Sequence, residues 1–205
     1  MNKAQRRKNQ ILDATQELIF EKGVDATSTG DILEKVGIAR GTLYHHFKSK
    51  DEIIDCLIER MSLELIERAN VIAQDEQIPA DERLLLCFMA LKVGEENQTI
   101  TDYLHHPQNA LMHQKIQYDF FQKIPPILAK IVKDGVKEGI FDTSFPLEST
   151  EMLCAYLDIA FDEVIVRSAP ERTEQKMNAL RVNMERILGA KNGSFIALFE
   201  KYNGE

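Results

Sequence analysis

Residues 28–50 contain two short helical patterns separated by one glycine, and this stretch constrains the fold most. Ser28 is followed three residues later by Asp31, a spacing that predicts a capping box at the start of a helix. Gly37 supplies the backbone freedom that a tight turn needs, and a second helix is predicted from Arg40 to Phe47. Two short helices about a tight turn are typical of the helix-turn-helix motif.

The predicted second helix carries an outward set of polar side chains once Leu43 and Phe47, one turn apart, are buried. Arginine and histidine donate to phosphates or base edges, hydroxyl groups donate to phosphates, and glycine lets the backbone come close. The alternative is an ordinary solvated helix surface, but four groups able to contact phosphate within seven residues argue against it. The candidate DNA contacts are Arg40, Gly41, Thr42, Tyr44, His45, His46, Lys48 and Lys50.

Two segments, ILDATQELIFEKG (11–23) and ARGTLYHHFKSKDEI (39–53), resemble the N-terminal domain of the tetracycline-repressor (TetR) family. The resemblance covers about the first quarter of the chain, and the run GTLYHHF-x-SK-x-E is specific to that family. It implies phosphate contacts at Ser28, Tyr44, His45 and Lys50, and base-proximal positions at Arg40, Gly41 and Thr42. Thr29, beside Ser28, completes the predicted DNA-binding site.

The whole chain reads as helix, so the expected fold class is all-α. We expect a three-helix DNA-binding domain over residues 1–50 and a helical domain for effector binding and dimerisation over residues 51–205. Helix one is predicted from Lys3 to Lys22, ended by Gly23, and Ser49 and Glu52 form a capping box that opens a long helix to about Ala73. Further helices are predicted at about 79–93, from Pro125-Pro126 to Glu138, and at 147–167, 171–188 and 194–202.

The net charge of −8 is unusual for a DNA-binding chain, but the charge is unevenly distributed. The first fifty residues hold nine Lys and Arg against six Asp and Glu, a net +3, so the remainder carries −11. Screening limits the attraction of exposed charges to about 10 Å at ordinary salt. A basic N-terminal domain on an acidic remainder is therefore compatible with DNA binding.

Three cysteines, Cys56, Cys87 and Cys154, occur singly within apolar helical patterns. An odd count without CxxC spacing predicts buried thiols in a reducing compartment, not disulfides or zinc ligands. No run of eighteen apolar residues occurs, and the basic start MNKAQRRKNQ lacks the apolar region of a secretory signal. The expected location is the cytoplasm.

Aromatic and sulfur-containing side chains are frequent between Phe88 and Phe121. In a helical domain with an internal cavity such side chains line an apolar pocket, although each could equally belong to the core. We predict a pocket for a small, partly apolar effector somewhere among Phe88, Met89, Lys92, Tyr103, His106, Met112, His113, Tyr118 and Phe121.

Three histidines, His105, His106 and His113, lie near Asp102 and allow a metal site as an alternative, because imidazole and carboxylate bind zinc or nickel. Pro107 interrupts the helix between them, so no ligand pair one helical turn apart is assured. Polar lining of a pocket, or surface histidines, is the favoured interpretation. The sequence predicts no metal and no cofactor.

The last two long helical segments carry wide apolar stripes. Intrachain packing would explain them, but the preceding helices already hold enough apolar residues to close a core, which favours a face that pairs with its twofold copy. The family resemblance also implies a dimer formed by these two helices. The predicted homodimer interface comprises Leu153, Leu157, Phe161, Met177, Leu180, Met184 and Ile187.

Sequence motifs of common enzyme classes are absent, namely G-x-S-x-G, the P-loop, G-x-G-x-x-G and HExxH, so we expect no enzyme. The favoured function is a transcriptional regulator, a repressor that leaves a palindromic DNA operator when a small molecule binds. Two alternatives stay open. A DNA-binding dimer without effector predicts no ligand-dependent change in DNA affinity, and a helical enzyme or carrier predicts no sequence-specific DNA binding.

Overall fold

The computed structural model describes residues 2–91, 98–161, 166 and 169–203, and within these ranges the regular structure is helical. The helices are α1 (Lys3–Lys22), α2 (Thr29–Val36), α3 (Arg40–His46), α4 (Lys50–Ala73), α5 (Ala80–Leu91), α6 (Gln98–Leu104), α7 (Ala110–Lys137), α8 (Pro146–Ala160), α9 (Thr173–Leu188) and α10 (Ser194–Asn203). Short 3-10 turns occur at Pro107–Asn109 and Pro170–Arg172. The all-α prediction is confirmed.

The helices form two compact units. The head unit comprises the described residues within Met1–Glu64 and Val93–Gln117, and the body unit comprises those within Leu65–Lys92 and Tyr118–Glu205. The head unit is therefore larger than the predicted DNA-binding domain of residues 1–50. Its additional helix, α6, contributes Ile100 and Tyr103, which are only 5% and 9% exposed, to the core of the head.

Local signals at the helix ends of the head are confirmed. The Ser28 hydroxyl accepts the Asp31 backbone N–H at 3.2 Å, and the Asp31 carboxylate accepts the Ser28 N–H at 2.7 Å, completing the capping box of α2. Gly37 ends α2 in the left-handed conformation with φ 67°, which only glycine adopts at little cost. The helix-turn-helix therefore has the sharp turn that its sequence predicts.

The core of the head joins the apolar faces of α1, α2, α3 and the start of α4. Leu43 and Phe47, the two residues expected to anchor the second motif helix, are 1% and 2% exposed. This burial leaves the opposite side of α3 facing outward. The buried members of the head core are Ile11, Leu12, Leu18, Ile19, Val24, Ile32, Leu43, Phe47, Ile53, Ile54, Leu57, Ile58, Ile100 and Tyr103.

Helix α7 continues through Pro125 and Pro126, so the prediction that this pair opens a helix is wrong. Each proline lacks the N–H that would bond to the carbonyl four residues earlier, which costs helix stability. The apolar period nevertheless continues across the pair, and Ile124, Leu128 and Ile131 are fully buried in the body core. Burial on both sides of the prolines therefore maintains one helix.

Arg83 is the largest fully buried side chain of the described residues, at 1% exposure. Its guanidinium lies 3.0 Å from Glu138 and 3.4 Å from Asp134, and it donates to the Ala73 carbonyl at 3.2 Å. Burial alone would raise the pKa of Asp134, but Lys137 and Arg83 together hold it below its usual value. The body unit thus contains a paired charge that the apolar pattern does not reveal.

The thiol prediction holds for Cys87 and Cys154, which are buried, while Cys56 is half-buried. Burial raises the pKa of both buried thiols to about 12, so they remain protonated and unreactive at neutral pH. Among the described residues, no helix combines the length and apolar character needed to cross a membrane.

Candidate nucleic-acid interface

The outward side of α3 carries most of the predicted DNA-binding residues. Arg40, Gly41, Tyr44 and His45 are exposed, and Thr42 and His46 are half-buried. Tyr44 is 42% exposed although its neighbour Leu43 is fully buried, so adjacent residues of α3 lie on its outer, polar side and its inner, apolar side. The structure therefore brings this part of the predicted site together on one surface.

Arg40 and Tyr44 lie one helical turn apart, and the Arg40 guanidinium carbon is 5.4 Å from the centre of the Tyr44 ring. This contact holds both side chains on the same outward face. A Cβ placed on Gly41, between them, would meet no atom of the protein within 4 Å. Internal packing therefore does not require glycine here, and the empty space beside the backbone suits a close approach by another molecule.

Ser28 and Thr29 lie at the start of α2, where the Ser28 hydroxyl is already used. It donates to the Asp31 carboxylate at 2.6 Å as well as accepting the cap hydrogen bond. The Lys22 ammonium, 2.8 Å from the same carboxylate, and the Ser28 hydroxyl hold the pKa of Asp31 well below its usual range. If Ser28 contacts a phosphate, its hydroxyl therefore has to do so while it also maintains the cap of α2.

Lys48 and Lys50 differ in their surroundings although both were predicted to contact phosphate. Lys48 is exposed, whereas Lys50 is half-buried and its ammonium donates to the Val24 carbonyl at 2.8 Å. Ser49 accepts the Glu52 N–H at 3.1 Å, and the Glu52 carboxylate accepts the Lys48 N–H, so the predicted cap of α4 is present with its second bond displaced by one residue.

The predicted effector residues are dispersed. Phe88 and Phe121 are half-buried against the body core, whereas Met89 and Tyr118 of the same unit are 40% and 64% exposed. Tyr103 belongs to the head core, which corrects its assignment to a pocket of the C-terminal domain. Three further predicted effector residues also lie in the head unit: His106 is exposed, and Met112 and His113 are half-buried. Lys92 lies outside the described residues.

The histidines near Pro107 make ring contacts. The rings of His105 and His113 meet edge to face with centroids 4.8 Å apart, and a ring nitrogen of His105 lies 2.8 Å from the Thr101 carbonyl. Within the described ranges, no group of three or more histidine, cysteine, aspartate or glutamate side chains is placed to hold a metal ion.

Three residues predicted for the dimer interface are buried inside the chain itself. Leu153, Leu180 and Met184 are 1%, 3% and 0% exposed and belong to the body core. For these three, intrachain packing is the correct interpretation, because a side chain with no free surface cannot contact a partner. The other four, all packed against the same core and half-buried, are Leu157, Phe161, Met177 and Ile187.

A different apolar stripe is exposed on α8 and its N-cap. Phe145, Met152 and Ile159 recur every seven residues and are 65%, 60% and 63% exposed, and Tyr156 on the same side is 38% exposed. Residues seven apart lie on one helix face because seven residues make nearly two turns. Helix α8 is apolar on both sides, and the predicted interface residues Leu153 and Leu157 each stand one position after a member of this exposed stripe.

The arrangement of α2 and α3, with an anchored inner face and a polar outer face, defines a helix-turn-helix DNA-binding protein. Residues 11–56 match the family model for bacterial regulatory proteins of the tetR family. Residues 92–182 match the model for the tetracyclin repressor-like C-terminal domain. The chain belongs to the TetR family of bacterial transcriptional regulators.

Individual relatives agree with this assignment. The fatty acid metabolism regulator protein of Bacillus subtilis is 31% identical over 134 residues, which cover 63% of this chain and 68% of that protein. Among solved structures, a TetR-family regulator of Mesorhizobium loti has a TM-score of 0.65 at 17% identity, covering 88% of this chain and 97% of that one. The triclosan complex of SmeT from Stenotrophomonas maltophilia has a TM-score of 0.60 at 20% identity, covering 91% and 92%. At such identities the two structures support the fold alone.

Proposed function

We propose that the protein is a cytoplasmic, homodimeric repressor that binds a palindromic operator through α2 and α3 and leaves it when a small molecule binds the body unit. The observation that carries the proposal is the outward face of α3. Arg40, Tyr44 and His45 are exposed there beside a glycine with open space, on a helix anchored by Leu43 and Phe47. Exposed donors on a rigid helix are suited to enter a major groove.

Dimerisation is supported by the exposed stripe on α8. Large apolar side chains that recur along one helix and remain exposed in a single chain favour a partner surface. A twofold axis would pair Phe145, Met152, Tyr156 and Ile159 with their copies in the partner subunit. Two helix-turn-helix motifs related by this axis require a DNA site whose half-sites have the same symmetry. Leu157 and Ile187, half-buried on α8 and α9, are candidates for the edge of the same interface.

The effector site is proposed among aromatic side chains that are partly buried against the body core. Phe88, Phe120, Phe121 and Phe161 share this environment, and the rings of Phe120 and Phe121 meet edge to face at 5.5 Å. Side chains at the edge of a core can move to admit an apolar ligand at less cost than fully packed ones. A ligand there would shift α4, whose residues contribute to both units, and so change the presentation of α3.

Triclosan, the compound in the SmeT complex, is a suitable first probe of this proposal. Its affinity is measured by calorimetry with and without a DNA duplex that the protein binds. Thermodynamic reciprocity requires the duplex to weaken the ligand by the same factor as the ligand weakens the duplex, typically about 5–150-fold. If no compound that raises the melting temperature changes DNA affinity, the effector part of the proposal is wrong.

The second candidate is a DNA-binding dimer without an effector. The dispersion of the predicted pocket residues favours it, since Tyr103 and His113 lie in the head unit and Phe88 and Phe121 in the body unit. It predicts the same DNA binding and the same dimer, but equal DNA affinity in the presence of every compound that the protein binds.

A further inference from the structure

The first turns of α1 carry four cationic side chains and no acidic one. Lys3, Arg6, Arg7 and Lys8 lie within six residues, and Asp13 is the first acidic residue of the sequence. These four decide the charge of the first fifty residues, whose net +3 would be −1 without them. Positive charge is therefore concentrated at one end of one helix of the head unit.

The three outermost of these cations have no partner in the chain. The side chains of Lys3, Arg6 and Arg7 make no hydrogen bond, ion pair or ring contact within the described ranges. By contrast, Lys22 and Lys35 of the same unit form ion pairs at 2.8 to 3.0 Å with carboxylates of α1 and α2. The positive charge at the start of α1 thus remains available to an anion from outside the chain.

This charge is unfavourable for the helix that carries it. The N-terminus of a helix has a partial positive charge, so cations in its first turns are repelled and acidic residues are preferred there. The first turn of α1 contains no acidic residue, and its cap is the neutral Asn2, whose side chain accepts the Gln5 N–H at 2.8 Å. Helix stability therefore does not explain the four cations, whereas a bound anion would relieve their repulsion.

Contacts along α1 place its basic start next to the end of α3. Asp13 and Gln16 accept hydrogen bonds at 2.6 and 3.0 Å from the guanidinium of Arg60, well inside α4. Nearer the N-terminus, the Lys8 ammonium lies 5.3 Å from the centre of the ring of Phe47, the residue that ends α3. The other three cations lie further in this direction, up to about 7.5 Å beyond Lys8 along the helix axis.

The phosphate backbone of DNA is the anion that suits this position. Lys48, which follows Phe47, is exposed and is already a proposed phosphate contact. Phosphates follow each other at about 3.4 Å along the axis of one DNA strand, so cations spread over about 7.5 Å can reach two or three of them. Exposed lysine and arginine side chains commonly make such contacts, which add affinity without reading sequence.

We propose that the basic start of α1 is a second phosphate-binding surface, which contacts the DNA backbone beside the groove that α3 enters. Lys3, Arg6 and Arg7 supply the charge, and the contact of Lys8 with Phe47 fixes this surface at the end of α3. The inference rests on the proposed function and deepens it, because it assigns to these residues a role in affinity and none in the choice of sequence.

The test is anisotropy titration of the full chain with two long duplexes at several salt concentrations. One duplex carries the palindrome that the chain selects from a random library, and the other carries a scrambled version of it. The variant neutralises the three outermost cations together: Lys3→Gln, Arg6→Gln and Arg7→Gln. The control removes the same charge from exposed lysines of the body unit, namely Lys130→Gln, Lys133→Gln and Lys191→Gln.

Each lost phosphate contact lowers the slope of log affinity against log salt by about 0.9, so three contacts in each head of a dimer lower it by up to about 5. We expect this lower slope for the variant on both duplexes, and binding at least about tenfold weaker at about 0.15 M salt. The preference for the palindrome should not change, and the melting temperature should stay equal or rise because a repulsion is removed. The control should match the natural sequence.

Ethylation interference on the same duplex identifies the phosphates concerned. We expect phosphates whose ethylation weakens the natural sequence but no longer weakens the variant. If the variant melts at a lower temperature, this measurement decides, because a folding defect weakens binding without changing which phosphates are required.

Sequence-selective binding with an unchanged slope in the variant would overturn this inference and leave the proposed function intact. An equal loss in the control would also overturn it, because the effect would then belong to net charge. A changed palindrome would instead make these residues base contacts. A natural sequence that binds both duplexes equally, with a lower slope in the variant, would uphold the phosphate surface and refute the proposed operator binding.

Discussion

The ammonium of Lys50 donates a hydrogen bond to the backbone carbonyl of Val24 at 2.8 Å, joining the first residue of α4 to the segment after α1. The bond spans 26 residues of sequence and lies beside the proposed DNA surface. Lys50 is therefore a structural residue of the head as well as a proposed phosphate contact. Its exposed neighbour Lys48 has no such side-chain bond in the described structure, which makes the two lysines a matched pair.

Replacing Lys48 by Ala should weaken DNA binding on all sequences without changing the melting temperature. Each lost phosphate contact reduces the slope of log affinity against log salt by about one. Lys50→Ala should lower both DNA affinity and stability, the latter by about 1 kcal/mol for one lost hydrogen bond. Anisotropy titrations at several salt concentrations, paired with melting curves, provide the measurement. Unchanged affinity in both variants would remove this region from the interface.

Replacing Arg83 by Ala should destabilise the body unit by about 1.5–3 kcal/mol, the range typical of hydrogen bonds to charged groups. The substitution removes a fully buried guanidinium, and it leaves Asp134 and Glu138, whose side chains are 20% and 37% exposed, and the Ala73 carbonyl without that partner. Arg68→Ala is the control, because Arg68 is exposed on α4 and the described structure gives its side chain no ion pair. Urea unfolding compares the free energies. A loss in Arg83→Ala as small as that in Arg68→Ala would mean that the ion pairs of Arg83 contribute little.

Asp31 should make the stability of the head depend on acid pH. Its pKa is lowered in the folded state by Lys22 and Ser28, so its contribution is present above the unfolded pKa, about 4, and is lost as pH falls toward the folded pKa. Asp31→Asn should therefore lower the melting temperature at pH 7 and show a shrinking difference from the natural sequence below about pH 4. A difference that stays constant from pH 7 to pH 3 contradicts the assignment.

Replacing Ile159 by Glu should produce a folded monomer. Ile159 is 63% exposed within one chain, so the charge does not disturb the core, but in a dry interface it would be strongly unfavourable. Val71→Glu places the same charge at a residue that is 62% exposed on α4 and should remain dimeric. Met184→Glu, at a fully buried position, should unfold the protomer instead. Sedimentation and circular dichroism distinguish these outcomes, and a stable Ile159→Glu dimer would place the interface elsewhere.

The head motif could be predicted from sequence because its determinants are local. The capping box of Ser28 and Asp31, the turn at Gly37 and the anchors Leu43 and Phe47 lie within twenty residues and indicate the same fold. The prediction for Pro125 failed because a local preference was outweighed by the apolar period on both sides of it. Local agreement across several signals was therefore more reliable than any one signal.

Features that depend on distant contacts could not be derived in this way. Arg83 is separated from Asp134 and Glu138 by 51 and 55 residues, and no local sequence pattern around Arg83 predicts these partners. On α8 both Leu153 and Met152 are apolar, so the pattern alone does not decide which of them faces the core. Tyr103 was misplaced for the same reason, because the packing of α6 with the head is a tertiary property.

Whether α3 reads DNA sequence in a dimer is best measured by selecting, from a random library, the duplexes that the full chain binds. We expect enrichment of an inverted repeat. For Arg40→Ala we expect an altered preference at fixed positions of each half-site, because Arg40 lies on the outward face of α3. Lys48→Ala, analysed in parallel, should enrich the same repeat at lower affinity. Recovery of sequences without any inverted repeat would mean that the protein does not read a palindromic operator as a dimer.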